Sequence, residues 1–349
     1  MTIRHDNNFG VLRLLFALLV IVAHAPEMLD GGTRREPLTM LFGTLTFGEL
    51  SVDGFFLISG YLVTGSYMES RSLKSYVARR VLRIYPAFIV SYLVCILAVA
   101  PLAGVDLAGI SAKEWLVMAW RMVMLDHPVV NGAFPNQAYH FLNGASWTVI
   151  YELRCYIFAA LLGMAGLYRN RSLYIYYLFF IVGINVALKT QLITPEMLKV
   201  TESHFYRSIL LDPIDMARFS MVFAFGAAFR LFNDKIIYRS DFAAFAFVCL
   251  LAAMYVRPVA EFGICTFGAY VLFWVVFHAP KISLNRDYDI SYGVYLYGWP
   301  ISALLISVLN DVPPGQLAVT TIVLAVPIGM LSWFGLEKPA LALKERFSH

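Results

Sequence analysis

The sequence predicts an all-α fold: a polytopic transmembrane bundle of about ten helices with both termini cytoplasmic. Three observations predict it. Of 349 residues, 60% are hydrophobic and only 14% are charged, whereas a soluble domain carries about 25% charged residues. The apolar residues fall into runs of membrane-spanning length, separated by Gly, Pro and charged breakers, and mean hydropathy is +0.69. With the N-terminus placed inside, Lys and Arg outnumber those of the outer loops by roughly two to one, the bias that holds short basic loops in the cytoplasm. The whole chain, 1–349, reads as a single integral-membrane domain with no appended soluble domain. No basic tract suggests nucleic acid. The four cysteines lie inside apolar runs without metal-ligand spacing, so neither a disulfide framework nor a metal site is expected.

The elements follow in order. The first helix, Val11 to about His24, lies in the run Phe9 to Pro26. Arg4 and Arg13 ahead of Ala23-His24-Ala25 imitate a cleavable signal peptide, but the later loops alternate correctly only if this helix is retained. The second helix runs from Ser51 to Tyr67. A basic segment, Ser72 to Pro86, leads to the third, Ala87 to Leu102. A long loop, Ala103 to Ala145, holds an amphipathic piece (Lys113 to Leu125) and then turn-rich, polar residues. The fourth helix is Ser146 to Leu167 and the fifth Leu173 to Leu188. After a polar loop come the sixth (Met216 to Phe232), seventh (Phe242 to Val256) and eighth (Val259 to Phe277), the last two joined by a tight hairpin at Arg257-Pro258. The ninth is Ile290 to Leu309 and the tenth Gln316 to Leu336.

Polar residues within these runs are the candidates for chemistry, because ionisable groups at membrane depth cost several kcal/mol unless they face the bundle interior or water. Arg13 and His24 are 11 positions apart. At about 100° per residue this is within about 20° of three full turns, so both project from one helix face, roughly 16 Å apart along the axis. Glu152 lies roughly 9 Å below the outer start of the fourth helix, and Asp53 begins the second helix at the same side. His24, Asp53 and Glu152 thus share the outer half, while Arg13, Arg80 and Arg83 share the inner side. A histidine beside a carboxylate is a usable general base, and clustered guanidinium groups suit phosphates. The pattern is that of an anionic ligand entering from inside and proton abstraction further out. Each group has a second reading. Arg79, Arg80 and Arg83 serve equally as topology signals, His24 as an interfacial residue bonded to a carbonyl, and Glu152 as half of a structural ion pair. A proton-coupled transporter of a polar metabolite, with His24 and Glu152 as its relay, is the alternative function.

Four stretches carry a resemblance. They are LRLLFALLVIVAH, with Arg13 and His24; VDGFFLISGYLVTG followed by RRVLRIYP, with the Arg80-x-x-Arg83 pair; NGASWTVIYELRCYIF, leading to Glu152; and ISYGVYLYGWPI followed by SWFGLEKPAL. In this order, spread over residues 9 to 340, they resemble the membrane acyltransferase-3 family. One departure is Ile150-Tyr151 before Glu152, where a proline or second acidic residue is common. The resemblance implies an O-acyltransferase, most commonly an O-acetyltransferase, of the bacterial inner (cytoplasmic) membrane. It would use cytoplasmic acetyl-CoA or another acyl-CoA as donor substrate, with no bound cofactor. The acceptor would be a hydroxyl of a lipid-linked or exported sugar such as an envelope polysaccharide. His24 would be general base or assist acyl relay, Glu152 and Asp53 would orient His24 or bind the sugar, and Arg13, Arg80 and Arg83 would handle donor phosphates or orient the acyl carrier. The loop Asp126 to Trp147, with Tyr139, His140, Asn143 and Trp147 and the following Tyr151, is the candidate glycan surface.

Overall fold

The structure, a computed structural model, describes residues 7–194, 197, 211–282, 288–309 and 311–343. Basic residues that contributed to the orientation (Arg4, Lys199, Arg207, Arg286, Lys344 and Arg346) lie outside the described residues. Among the described residues the chain is helical, without strands. The elements are α1 (Phe9–Asp30), α2 (Pro37–Phe42), α3 (Phe47–Met68), α4 (Leu73–Leu102), α5 (Ala112–Val123), α6 (Gly144–Met164), α7 (Arg171–Lys189), α8 (Pro213–Leu231), α9 (Ser240–Ala253), α10 (Arg257–Phe277), α11 (Ser291–Val308) and α12 (Pro314–Ala342). Each expected apolar run coincides with one of these helices to within three residues at its far end, apart from the first and the tenth. Six of them (α1, α4, α6, α7, α10 and α12) are long and apolar enough to cross a membrane. The protein is a multi-pass membrane protein.

Two of the boundaries that differ from expectation bear on the site. Pro26 sits inside α1, which continues past His24 to Asp30 and closes on Gly31 at φ +69°. A proline in a helix interior removes one ladder hydrogen bond, yet the turn around it is packed: Ala25, Pro26 and Met28 are all buried. The basic segment before the expected third helix is not a connection either. Ser72 accepts a hydrogen bond from the Ser75 amide and caps α4 at its start, so Arg79, Arg80 and Arg83 stand on the first half of a 30-residue helix.

The centre of the bundle is α1, α3, α8 and α11. Helix α3 packs between α1 and α8, and α11 between α1 and α12. Apolar side chains give no net driving force between helices in lipid, so close backbone approach and polar contacts do more of the work. The α3–α8 crossing shows this. A Cβ on Gly226 would stand 2.1 Å from the Leu57 carbonyl oxygen, and one on Gly60 equally close to that of Phe223. Phe56 and Phe219 stack beside them at 4.5 Å. Gly226→Val must push these backbones apart. It is expected to cost at least about 1–3 kcal/mol as overpacking, seen as a lowered melting temperature in detergent; an unchanged melting curve would contradict the crossing.

Three helices contain a wide, π-type turn: Cys95–Val99 in α4, Ile264–Gly268 in α10 and Trp333–Glu337 in α12. Such turns collect at functional sites, and the third delivers Glu337 to the site.

Candidate active site

Two cavities open in the central bundle, one toward each end of α1. The cavity at the Arg13 end has a volume of about 640 Å³ and is lined by Arg13, Arg79, Arg80, Arg83, Glu152 and Asp289 among others. The cavity at the His24 end, about 380 Å³, is lined by His24, Glu27, four threonines (Thr33, Thr39, Thr44 and Thr46) and Trp147. Val52 and Tyr295 line both. The helical phase read from the sequence therefore has a physical outcome: one face of α1 presents Arg13 to one chamber and His24 to the other.

At the Arg13 end an ion network crosses four elements. Arg13 lies 3.0 Å from Asp289, Arg83 lies 2.6 Å from the same carboxylate oxygen, and Arg83 reaches Glu337 at 3.4 Å. Ser332 donates to the other oxygen of Glu337, and Ser291 to Asp289. Burial by itself would raise the Asp289 carboxyl above the ordinary range. The two guanidiniums outweigh burial and hold it well below that range. Arg13 and Arg83 thus have their charge answered within the protein. Arg79 and Arg80 differ, since among the described residues neither has a carboxylate within ion-pair distance. Arg79 donates to Ser70, and Arg80 sits 5.6 Å from the Tyr156 ring centroid with one long bond to Ser66. Glu69, at the same mouth, is taken up by Arg230 at 2.7 Å. The uncompensated positive charge of the cavity therefore lies at Arg79 and Arg80.

Glu152 faces this same chamber. Ser59 of α3 donates to it at 2.9 Å, and Tyr156, one turn on, donates to the same oxygen. The expected pairing of Glu152 with His24 is therefore corrected. Helix α6 aims it at Ser59 of α3, in the Arg13 chamber and not in that of His24. Asp53 is corrected as well: it is fully buried and pairs with Arg218 of α8 at 2.9 Å. Desolvating a carboxylate is costly without such a partner, and Arg218 supplies it across the α3–α8 contact.

The carboxylate that does meet His24 is Glu27, one turn along α1. Its Oε2 lies 2.8 Å from His24 Nδ1. A carboxylate can only accept, so Nδ1 carries the proton and Nε2 remains the basic nitrogen. Tyr139 donates to the other oxygen of Glu27 at 3.4 Å, and the Trp299 ring packs edge-on against the imidazole with centroids 4.9 Å apart. Of the expected glycan-loop residues, Trp147 lines the His24 cavity. Asn143 is buried and donates to the Leu296 carbonyl at 2.8 Å, fastening the loop to α11. Tyr151 is buried beside Phe219, its hydroxyl accepting from the Asp212 amide. His140 is exposed, with Nδ1 2.9 Å from the Phe134 carbonyl. These three shape the loop rather than line the cavity.

Glu27, Asp289 and Glu337 were not singled out from the sequence, whereas Tyr139 belongs to the expected glycan loop. The signal for Glu27 was present as the i, i+3 spacing in His24-Ala25-Pro26-Glu27, hidden by reading Pro26 as a helix end. Asp289 and Glu337 carry no local signal.

Two adjoining chambers, one with free guanidiniums and the other with an oriented imidazole, suit the moving of a group between an anionic donor and a hydroxyl, the chemistry of a membrane-embedded transferase. The chain matches the acyltransferase domain family over residues 6–336 and belongs to it. It is 28% identical to nodulation protein 10 of Rhizobium leguminosarum bv. viciae, covering 97% of this chain and 94% of that one. It is 27% identical to an O-acetyl transferase of Shigella phage Sf6, covering 95% of both. A third similarity, to the acyltransferase MdmB of Streptomyces mycarofaciens, is 28% over 42% of this chain and 36% of that protein. No solved structure matches the chain. The protein is a membrane acyltransferase, and the transporter alternative is set aside by membership in a family of enzymes.

Proposed function

We propose that this acyltransferase moves an acetyl group from acetyl-CoA, admitted at the Arg13 end from the cytoplasm, to a sugar hydroxyl held at the His24 end. The acceptor is a lipid-linked or exported envelope glycan, and the bundle sits in a bacterial inner membrane with both termini cytoplasmic. The observation that carries the reading is the pair of chambers sharing Val52 and Tyr295, one with free cations and the other with a His–Glu pair. Arg79 and Arg80 meet donor phosphates, because their charge is uncompensated. Arg13 and Arg83, held by Asp289 and Glu337, shape the chamber floor. His24 Nε2 takes the proton of the acceptor hydroxyl, with Glu27 holding the ring. Threonine hydroxyls and the Trp147 face match the hydroxyl-rich and apolar faces of a sugar.

The test is ester acetate released by mild alkali from the envelope glycans of cells expressing the chain, against cells carrying vector alone. Acetate above the vector level supports the reading; none removes either the acetyl group or the glycan acceptor. For the donor site, Arg80→Met is expected to raise the KM for acetyl-CoA about tenfold, the value of one charge-assisted hydrogen bond of about 1.5 kcal/mol. Its kcat should change less, because Arg80 acts on the donor's charge. A change confined to kcat would assign Arg80 a different part.

A further inference from the structure

The geometry points to the strip between the two chambers, Val52, Phe55 and Tyr295, as a rigid gauge that sets the length of the acyl group transferred. This inference rests on the two-sided reading of the preceding section and adds the residues that choose the donor's acyl chain.

Val52 and Tyr295 belong to the walls of both chambers, and Phe55 to the wall of the Arg13 chamber. All three lie on α3 and α11, the helices that flank α1. The Tyr295 ring is fixed at its far end. Its hydroxyl donates to the Ala145 carbonyl, so the 2.6 Å contact with Thr148 has the threonine as donor. Ala145 lines the His24 chamber and Thr148 the Arg13 chamber, so the turn that opens α6 holds the tyrosine on the boundary itself. Phe55 is wedged on both sides, edge-on to Tyr295 and to Phe16 of α1, each at 5.8 Å between centroids. Tyr295 is 8% exposed. Swinging either ring would break these contacts.

Transfer requires the donor thioester carbon and the acceptor oxygen to come within about 3–3.5 Å. The acceptor oxygen attacks that carbon from the His24 side. The C–O ester bond forms and the C–S bond breaks. His24 Nε2 takes the acceptor proton, and the sulfur leaves as thiolate, which is protonated to the free thiol of CoA. At that moment the carbonyl carbon stands between the chambers, and the rest of the acyl chain packs against Val52, Phe55 and Tyr295. These present an aliphatic group and two braced rings, so a methyl fits and each added methylene presses on a ring held by those contacts. Apolar walls discriminate by size at about 10- to 200-fold per methylene, enough for a gauge.

The experiment compares ester formed from acetyl-CoA and from butyryl-CoA by purified protein in lipid vesicles with the same glycan acceptor. The variants are Phe55→Leu, Phe55→Ala and Val52→Ala, with Phe267→Ala, which faces away from both chambers, as control. The butyryl-to-acetyl ratio is expected to rise at least about tenfold in Phe55→Ala, less in Phe55→Leu and Val52→Ala, and not in Phe267→Ala. A ratio equal to wild type in the variants that fold, the mild Phe55→Leu included, overturns the gauge while leaving the acyltransfer reading standing. A wild-type protein that forms no ester from either donor overturns that reading and the gauge with it.

Discussion

His24→Ala is expected to lower ester formation by at least about 100-fold, the usual contribution of a positioned general base, at matched abundance in the membrane. The cause is specific to the geometry. Glu27 Oε2, 2.8 Å from Nδ1, keeps the proton on that nitrogen and leaves Nε2 basic. Glu27→Gln separates orientation from proton transfer. The amide has nearly the same shape, but it can donate as well as accept and so permits the wrong tautomer. Its loss is expected to be smaller, below the roughly 100-fold at which that range begins, and to fall on kcat rather than on the KM for the acceptor. Ester assayed after mild alkali, with kcat and KM read separately, checks both. Equal ester from wild type and His24→Ala would remove the histidine from the chemistry.

Asp289→Asn carries the second large effect, on stability. One carboxylate oxygen serves both Arg13, at 3.0 Å, and Arg83, at 2.6 Å. Removing its charge leaves two guanidiniums facing each other, with Glu337 as the carboxylate still in ion-pair contact among the described residues. Breaking a buried pair by removing one partner costs about 3–5 kcal/mol, and the slight exposure of this cluster places the expected loss at about 3 kcal/mol, the low end of that range. Glu337→Gln, which leaves Asp289 in place at the shorter contacts, should cost less. Thermal unfolding in detergent orders the two, and the reverse order would misplace the hub of the network. The pH dependence follows with its sign. The native Asp289 carboxyl is held below the ordinary range, so its contribution is complete above the unfolded-state value and is lost as pH falls toward the native one. Asp289→Asn should therefore destabilise fully at neutral pH and progressively less in acid.

Much of the site was legible in the chain because helix periodicity is a local property. The 11-residue spacing of Arg13 and His24 determines that they share a face whatever surrounds them, and the two cavities accordingly lie toward opposite ends of α1. Direction around the axis is different. Hydrophobicity marks a side chain as buried, but in a bundle apolar nearly all round it does not say toward which neighbour. That is why both carboxylates were assigned to His24, while packing sends Glu152 to Ser59 and Asp53 to Arg218.

The sequence by itself determined the all-helical membrane fold, the shared face of Arg13 and His24, and the family to which the chain belongs. Tertiary structure alone decided which carboxylate serves which cation. It carried α1 through Pro26, because the turn holding Glu27 is packed from outside and tolerates a lost ladder bond. It brought Asp289 and Glu337 to Arg83 across more than 200 residues of chain. In so doing it left Arg79 and Arg80, rather than Arg13 and Arg83, with charge to spare. The physical reason is the cost of burying charge: each buried ion must find its counter-ion in three dimensions, and no local pattern records where that partner stands.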